Sequence, residues 1–245
     1  MIPKACPDLI RGGYRISENI MDGQSHSSTG PAEPLPDCPL CPRLAAFRHA
    51  VREREPSWFN APVGSFGPRE ARLLVVGLAP GLRGANRTGR PFTGDYAGDL
   101  LYGTLSEFGF ARGEYHARAD DGLTLHDARI TNAVRCVPPE NKPTPEEVRT
   151  CRSFLDSTIA DMPRLCAIVA LGRIAHDSIA HALEARPSTF RFAHGAHHAI
   201  GRFKIFDSYH CSRQNTNTGR LTPDMFRAVF AAVRTDLDER ARSER

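Results

Sequence analysis

Four cysteines in this chain have the type and spacing of ligands for a metal ion or a cluster. Cys38 and Cys41 are separated by two residues in the segment CPLC, and Cys136 and Cys151 enclose a loop of fourteen residues. Two such pairs can supply four thiolates, which bind zinc or an iron–sulfur cluster. Zinc ribbons favour two short spacings, so the long second spacing favours iron–sulfur. The alternative is that Cys136 and Cys151 are small buried apolar residues, as free cysteines commonly are.

A second candidate is the segment DSYHCSRQNTNTGRLT, residues 207–222, which carries imidazole, hydroxyl, amide and guanidinium groups between two apolar stretches. This composition fits either a linker or a binding site. Cys211 beside His210 could form a nucleophile with an adjacent base, but neighbouring side chains on a strand point to opposite faces. That makes the pairing of Cys211 and His210 weak.

A third candidate is the glycine-rich loop at 77–95, which follows an apolar burst and contains Arg87 and Arg90. It matches neither a Walker A loop nor the dinucleotide-binding glycine pattern. Glycine permits close backbone approach and arginine attracts phosphate, so the loop suits an anionic polymer. Asp95 would cap the following helix or orient a water molecule. Phe92 would stack on a base or anchor the loop to the core.

Alternating apolar strands and helices must position these residues. Short apolar segments typical of strands alternate with segments that have helical spacing or helix start signals. This alternation predicts an α/β fold with helices on both faces of a mostly parallel sheet. In such folds, sites form beyond the carboxyl ends of the strands. The loops at that edge are 77–95, 135–143 and 208–222. The polar segment around His210 is therefore predicted to be part of a site.

The bulk composition sets the domain organisation. The chain has 245 residues, 40% of them hydrophobic, and a formal net charge of +4. That length and apolar share suit one domain, predicted at 37–238, and the small charge permits a nucleic-acid partner without requiring one. Residues 1–36 are rich in Gly, Ser and Pro and are predicted to be a disordered arm, and 239–245 to be a charged tail. No apolar run is long enough for a membrane span and no signal peptide is evident, which predicts an intracellular protein.

The motifs GLAPG…NRTGRPFTGD, AVRCVPPENKPTPEE, ALGRIA and SYHCSRQNTNTGRLT, with the leading CPLC, resemble the uracil-DNA glycosylase superfamily. The resemblance is greatest to its family 5 type B enzymes and covers residues 38 to about 235. It implies a three-layer α/β/α fold around a four-stranded, mostly parallel sheet. It also implies a [4Fe–4S] cluster, held by Cys38, Cys41, Cys136 and Cys151.

The activity that the resemblance implies is monofunctional base excision. Such an enzyme flips uracil out of double- or single-stranded DNA, hydrolyses the N-glycosidic bond and leaves an abasic site. The protein would act as a monomer in the cytoplasm, associated with the nucleoid. The alternative is a non-catalytic iron–sulfur protein that binds damaged DNA on the same fold, against which the presence of Asp95 and His210 argues. A nucleotide-processing hydrolase would need a carboxylate cluster for metal, which the glycine-rich loop lacks.

The resemblance also implies a role for each site residue. The catalytic residues would be Asp95, His210 and Asn141. The base would be held by Gly77, Leu78, Ala79, Phe92 and Asn132. The DNA would be contacted by Arg87, Arg90, Lys142, Ser212, Arg213, Gln214 and Asn215.

Two points depart from the related family 4 pattern. Leu78 stands where those enzymes carry an acidic residue. The role of positioning water is therefore expected at Asp95, and a broader substrate range, with hypoxanthine and other deaminated bases, is expected from the less exclusive pocket. Asn132 matches the uracil-reading Asn of family 4, whereas Asn141 is the more usual candidate in family 5. Both remain candidates.

Overall fold

A computed structural model describes residues 33–243. Most of the predicted arm, up to residue 32, therefore lies outside the described residues. Glu33 lies inside the stretch predicted as an arm, and its carboxylate accepts hydrogen bonds from the Ser65 amide at 3.0 Å and from Arg135 at 2.9 Å. The last helix runs on to Ser243, into the stretch predicted as a tail. The division into arm, domain and tail stays a prediction.

A five-stranded sheet with the order β4-β1-β5-β7-β6 forms the centre of the fold. The first four strands are parallel and β6 runs antiparallel to β7. The prediction of a mostly parallel sheet is confirmed, and the expected count of four strands is corrected to five. The edge strand has the sequence HHAI, with too few apolar residues to be recognised. The sheet strands are β1 Leu73–Gly77, β4 Ala128–Asn132, β5 Ala167–Leu171, β6 His197–Ile200 and β7 Phe203–Ser208.

Seven α-helices, a short hairpin and one 3-10 turn complete the described chain. The start signal at Thr144 is confirmed, because its side chain and that of Glu147 form a reciprocal capping box. The hairpin pairs β2 Ala111–Arg112 with β3 Thr124–Leu125, and the 3-10 turn is Pro139–Asn141. The helices are α1 Pro42–Arg54, α2 Ala85–Thr88, α3 Tyr96–Glu107, α4 Pro145–Ala160, α5 Arg173–Ala182, α6 Arg213–Asn217 and α7 Pro223–Ser243.

Two apolar clusters cover the two faces of the sheet, which confirms the three-layer architecture. Successive side chains of a strand point to opposite faces. Leu73 and Val75 accordingly pack with apolar residues of α3 and α7, whereas Leu74 and Val76 pack with those of α4 and α5. Every residue of β1 and β5 is buried, as parallel strands between helix layers require.

The parallel strands all end at one edge of the sheet. Gly77 lies opposite Asn132, and Leu171 lies opposite Ser208. The loops after these strands therefore meet at this carboxyl edge, where the sequence predicted a site. None of the helices between residues 33 and 243 is long and apolar enough to cross a bilayer.

Candidate active site

The floor of the site is formed by Gly77, Asn132 and Phe92. A Cβ added at Gly77 would stand 2.4 Å from Asn132 Oδ1 and 2.4 Å from the Phe92 ring. Only glycine allows the three groups to lie this close. Asn132 is 2% exposed, and its Oδ1 accepts no hydrogen bond from any described residue. A buried acceptor without a partner costs about 1–3 kcal/mol, so the amide is available to a ligand.

Phe92 and His210 form an aromatic wall above this floor. Their ring centroids lie 5.7 Å apart with an interplanar angle of 26°. Phe92 is buried although its φ is 53°, in the left-handed region that side chains rarely adopt. Strained backbone of this kind persists only where the surroundings fix it, and it clusters at ligand sites.

His210 follows the end of β7 and carries no charge at neutral pH. Burial by the surrounding atoms lowers its pKa to about 4, although part of the side chain remains exposed. No residue of the described chain hydrogen-bonds its ring nitrogens. Its backbone is fixed, because Asn215 Nδ2 donates to the His210 carbonyl at 2.8 Å. His210 therefore presents a neutral imidazole on a backbone that Asn215 fixes.

Asp95 caps α3 and also faces the glycine-rich loop. Its Oδ1 accepts a hydrogen bond from the Gly98 amide at 3.3 Å. A Cβ added at Gly84 would stand 2.3 Å from its Oδ2, and one at Gly81 would stand 2.9 Å from it. Burial raises the pKa of Asp95, and no Lys or Arg in residues 33–243 pairs with it. Both predicted roles are thus compatible, since one oxygen caps the helix and the other faces the loop.

Arg90 does not reach the surface, which corrects its predicted contact with DNA. It is 4% exposed, and both of its terminal nitrogens bind the Asp121 carboxylate at 2.7 Å. Its Nε donates to Thr93 at 2.7 Å. The guanidinium is bound inside the protein because the charge, once buried, must be paired. Arg90 holds the loop around Phe92 in place.

Asn141 and Lys142 lie in the exposed loop after β4. Asn141 is exposed at the end of the 3-10 turn, with a φ of 57°. Lys142 pairs with Glu140 at 3.4 Å, and both side chains are largely in solvent. The structure brings Asn132, and not Asn141, next to Gly77 and Phe92. The predicted catalytic role of Asn141 has no support from this arrangement.

The outer rim of the site carries the polar segment after His210. Ser212 caps α6 through its hydroxyl, so it has an internal role, as does Asn215. Arg87, Arg213 and Gln214 are all exposed. These three remain candidates for DNA contact.

Sequence reasoning missed Tyr96, an exposed aromatic residue on this rim. The guanidinium of Arg213 lies 5.4 Å from the centre of the Tyr96 ring. The available signal was its position directly after Asp95, where a large aromatic side chain begins a helix on the edge that carries the site.

The segment Gly77–Ala79 connects the cleft to the four cysteines. The Gly77 and Leu78 carbonyls accept hydrogen bonds from the Ala133 and Val134 amides, both at 2.9 Å. Ala79 packs against the cysteine cluster, together with Leu44 and Phe154. The backbone predicted to contact the base is thus supported from the cysteine side.

The four predicted ligands converge on one pocket. Its lining includes Cys38, Cys41, Cys136 and Cys151, and none of them forms a disulfide. Arg48 Nη1 lies 3.3 Å from the Cys136 sulfur, and the Arg135 amide lies 3.3 Å from the Cys151 sulfur. N–H donors aimed at sulfur stabilise thiolate charge. The four thiols therefore supply the donor chemistry of a four-thiolate cluster site. Cys166 and Cys211 are fully buried in the main core, as expected for structural cysteines.

Residues 64–234 match the family model of the uracil DNA glycosylase superfamily. The chain belongs to this superfamily. It is 48% identical over 203 residues to the type-5 uracil-DNA glycosylase of Thermus thermophilus, covering 80% of this chain and 92% of the relative. It is 40% identical over 207 residues to the type-5 enzyme of Pyrobaculum aerophilum, covering 82% and 90%. The type-4 enzyme of Archaeoglobus fulgidus is 33% identical over 153 residues, covering 60% and 69%. The predicted family and fold class are confirmed.

Proposed function

We propose that the cleft between Gly77, Phe92, Asn132 and His210 receives a flipped-out uracil and that Asp95 promotes its hydrolytic release. The general activity, excision of uracil from DNA, follows from superfamily membership and from the type-5 glycosylases to which the chain is similar. That prediction is confirmed, and the non-catalytic alternative is not favoured. The observation that carries the residue assignment is the buried, unpartnered amide oxygen of Asn132 beside Gly77 and Phe92.

Asn132 would read the base and Phe92 would stack on it. A flipped base is recognised by hydrogen bonds to its Watson–Crick edge and by stacking on aromatic side chains. A side-chain amide offers both an acceptor and donors, which suits the N3–H and O4 groups of uracil. The absence of a side chain at Gly77 lets the Asn132 amide and the Phe92 ring both pack directly against the end of β1. Asn132 is therefore preferred to Asn141 for this role.

His210 would stabilise the leaving base. Cleavage of the N-glycosidic bond leaves negative charge on uracil, and a fixed hydrogen-bond donor in a partly dehydrated site stabilises it. A pKa of about 4 keeps His210 neutral, which is sufficient for donation. Its ring nitrogens have no partner within the described chain and so can turn to the base.

Asp95 would act on the sugar side of the bond. Its Oδ2 faces the glycine-rich loop, and no Lys or Arg of the described chain neutralises it. The ionised carboxylate can polarise an attacking water molecule or stabilise the cationic sugar of the transition state. The raised pKa of Asp95 brings it closer to the range of an effective general base.

The four cysteines would hold a [4Fe–4S] cluster, with zinc as the alternative. The converging sulfurs and the N–H groups of Arg48 and Arg135 support a four-thiolate site. When bound, the cluster would supply structural rigidity behind Ala79 rather than chemistry on the base. Protein purified without oxygen should be brown and contain iron and acid-labile sulfide in equal amounts, each lost in Cys136→Ser. Colourless protein with one bound zinc ion would establish zinc instead.

The substrate would be DNA, bound by a monomer at the nucleoid, with contacts from Arg87, Arg213 and Gln214. Removing an arginine that binds a phosphate should make binding less sensitive to salt, by about 0.9 in the slope of log K against log salt concentration. Arg87→Ala and Arg213→Ala should each show this change, whereas the buried Arg90 should not bind phosphate. Gel filtration with light scattering measures the oligomeric state.

The decisive experiment is single-turnover release of uracil from a duplex with one uracil, read by alkaline cleavage of the abasic site. Asn132→Ala should reduce the rate by about 100-fold, as expected when a buried reading group is lost. Asn141→Ala is the matched control and should retain nearly full activity. The reverse result would restore Asn141 as the functional residue. Duplexes with hypoxanthine or xanthine test the broader substrate range, which release of uracil alone would contradict.

A further inference from the structure

The segment between α3 and β4 contacts the loop that carries Phe92. Tyr115 lies in this segment, and its hydroxyl bridges two backbone groups of the loop. The Gly94 amide donates to the Tyr115 oxygen at 3.3 Å, and the hydroxyl donates to the Phe92 carbonyl at 3.1 Å. One side chain from a distant part of the sequence thus holds both ends of the turn at Thr93.

This turn needs such support because its backbone is strained. Phe92 has a φ of 53° and Gly94 a φ of 92°. A non-glycine residue in the left-handed region costs about 1–3 kcal/mol and persists only where its surroundings over-determine it. The hydroxyl of Tyr115 satisfies the polar backbone groups on either side of Thr93, and so favours this conformation over relaxed alternatives.

Tyr115 is itself fixed before any substrate binds. Its ring stacks on Tyr102 with centroids 4.7 Å apart, and Arg90 lies 5.7 Å from its centre. Arg90 is anchored on Asp121, which also accepts the His116 amide at 3.0 Å. The buried ion pair of Arg90 and Asp121 therefore fixes the backbone next to Tyr115, and this helps to position the Tyr115 hydroxyl.

The same packing extends to the helix capped by Asp95. A Cβ added at Gly98 would stand 1.9 Å from the Phe92 carbonyl and 2.3 Å from the Tyr115 hydroxyl. Gly98 also donates its amide to Asp95. The first turn of α3, the Phe92 carbonyl and the Tyr115 hydroxyl are therefore packed against one another without free space.

We infer that Tyr115 is a positioning residue for base excision, which acts by holding Phe92 in the conformation that stacks on the base. It contacts neither base nor DNA in this role, and the inference rests on the proposed function of Phe92. The hydroxyl is the operative group, because the ring is retained by stacking and the strained turn is held by the two hydrogen bonds.

A double-mutant cycle in single-turnover uracil release tests this inference. Tyr115→Phe removes only the hydroxyl and should lower the rate about 5- to 30-fold, with unchanged binding to a uracil-free duplex. In a Phe92→Ala background the same change should alter the rate less than about twofold, since residues that act through one another are not additive. Equal factors in the two backgrounds, or full activity of Tyr115→Phe, would overturn the inference.

Hydrogen exchange supplies a readout that does not depend on activity. Amides of residues 92–96 should exchange faster in Tyr115→Phe than in the wild-type protein. Thr104→Val is the matched control, because it removes another hydroxyl on a buried residue, bonded to the Leu100 carbonyl at 2.7 Å within α3. It should leave both the exchange of 92–96 and the excision rate unchanged. Unaltered exchange in Tyr115→Phe would refute positioning even if the wild-type protein released no uracil, an outcome that would refute the proposed function separately.

Discussion

Asp95 and Asp121 lie on either side of the loop that carries Phe92, and their surroundings are opposite. Asp121 is hydrogen-bonded by Arg90 and by two backbone amides, and these donors outweigh burial and lower its pKa. Asp95 accepts a capping amide, has no cationic partner in the described chain, and burial raises its pKa. Asp121, which holds the loop in place, thus has its hydrogen-bonding capacity filled by Arg90 and two amides, whereas Asp95 has no cationic partner in the described chain.

A second carboxylate that is saturated with hydrogen bonds lies on β7, a few residues before His210. Asp207 is fully buried near the end of β7, three residues before His210. It binds His176 Nδ1 at 2.7 Å and His198 Nε2 at 3.2 Å. His176 Nε2 in turn lies 2.7 Å from the Phe190 carbonyl. Since both ring nitrogens of His176 face acceptors, this ring is the protonated partner of a buried ion pair.

The largest expected effect comes from neutralising Asp95. Asp95→Asn should reduce single-turnover uracil release by about 10²–10⁴-fold, the range for losing a group that acts on the proton or charge of the transition state. The fold should be retained, because Asn also caps helices well. Asp99→Asn is the matched control, since it neutralises an exposed carboxylate in the first turn of the same helix. A loss shared by both variants would point to a general charge effect.

Breaking the saturated pair should instead affect stability. Arg90→Met leaves Asp121 buried without its cation, which should cost about 3–5 kcal/mol of unfolding free energy. Urea denaturation measures this difference. Arg87→Met, at an exposed position earlier in the same loop, should change stability by no more than about 0.5 kcal/mol. Similar stability of the two variants would contradict the structural role given to Arg90.

The contrast between these charges could not be derived from the sequence. Composition and loop position correctly predicted that 77–95 and 208–222 would meet, because parallel strands end at one edge. Arg90 was predicted to bind phosphate because the sequence does not distinguish a buried arginine in a glycine-rich loop from an exposed one. The burial of Arg90 depends on its ion pair with Asp121. Asp121 lies between β2 and β3, in a hairpin whose sequence has no periodic apolar pattern.

The preference for Asn132 over Asn141 likewise depends on a long-range pairing, the register of β4 against β1. Gly77 and Asn132 are paired across β1 and β4, and only this pairing shows that the amide borders the cleft. The cysteine pairs, in contrast, were recognisable from spacing because four thiols of one type carry a specific pattern. Local patterns were thus sufficient for four of the five sheet strands and for the cysteine pocket, whereas long-range pairing determined where single charged and amide groups lie.

The pH dependence of uracil release tests the protonation states assigned to His210 and Asp95. His210, with a pKa of about 4, should not titrate between pH 6 and 8, so it should contribute no change in rate there. The raised pKa of Asp95 should place the acidic decline of the wild-type rate above the ordinary aspartate value of about 3.9. Single-turnover rates from pH 4.5 to 8 measure this, and Asp95→Asn should lack that dependence. A decline centred near pH 6.5 that persists in Asp95→Asn would show that His210 ionises and would contradict its assignment as a neutral donor.

The smallest expected effect concerns the ion pair of His176 and Asp207. Burial opposes the charge of His176, but the hydrogen bond and charge of Asp207 outweigh it and raise its pKa. A raised folded-state pKa stabilises the fold fully below the unfolded value of about 6.5, and this contribution is lost as pH rises through the folded-state pKa. His176→Gln should therefore be less stable than the wild-type protein at pH 6, by about 1–3 kcal/mol, and the difference should shrink at alkaline pH. A difference that grows with pH would mean that His176 is neutral in the folded protein.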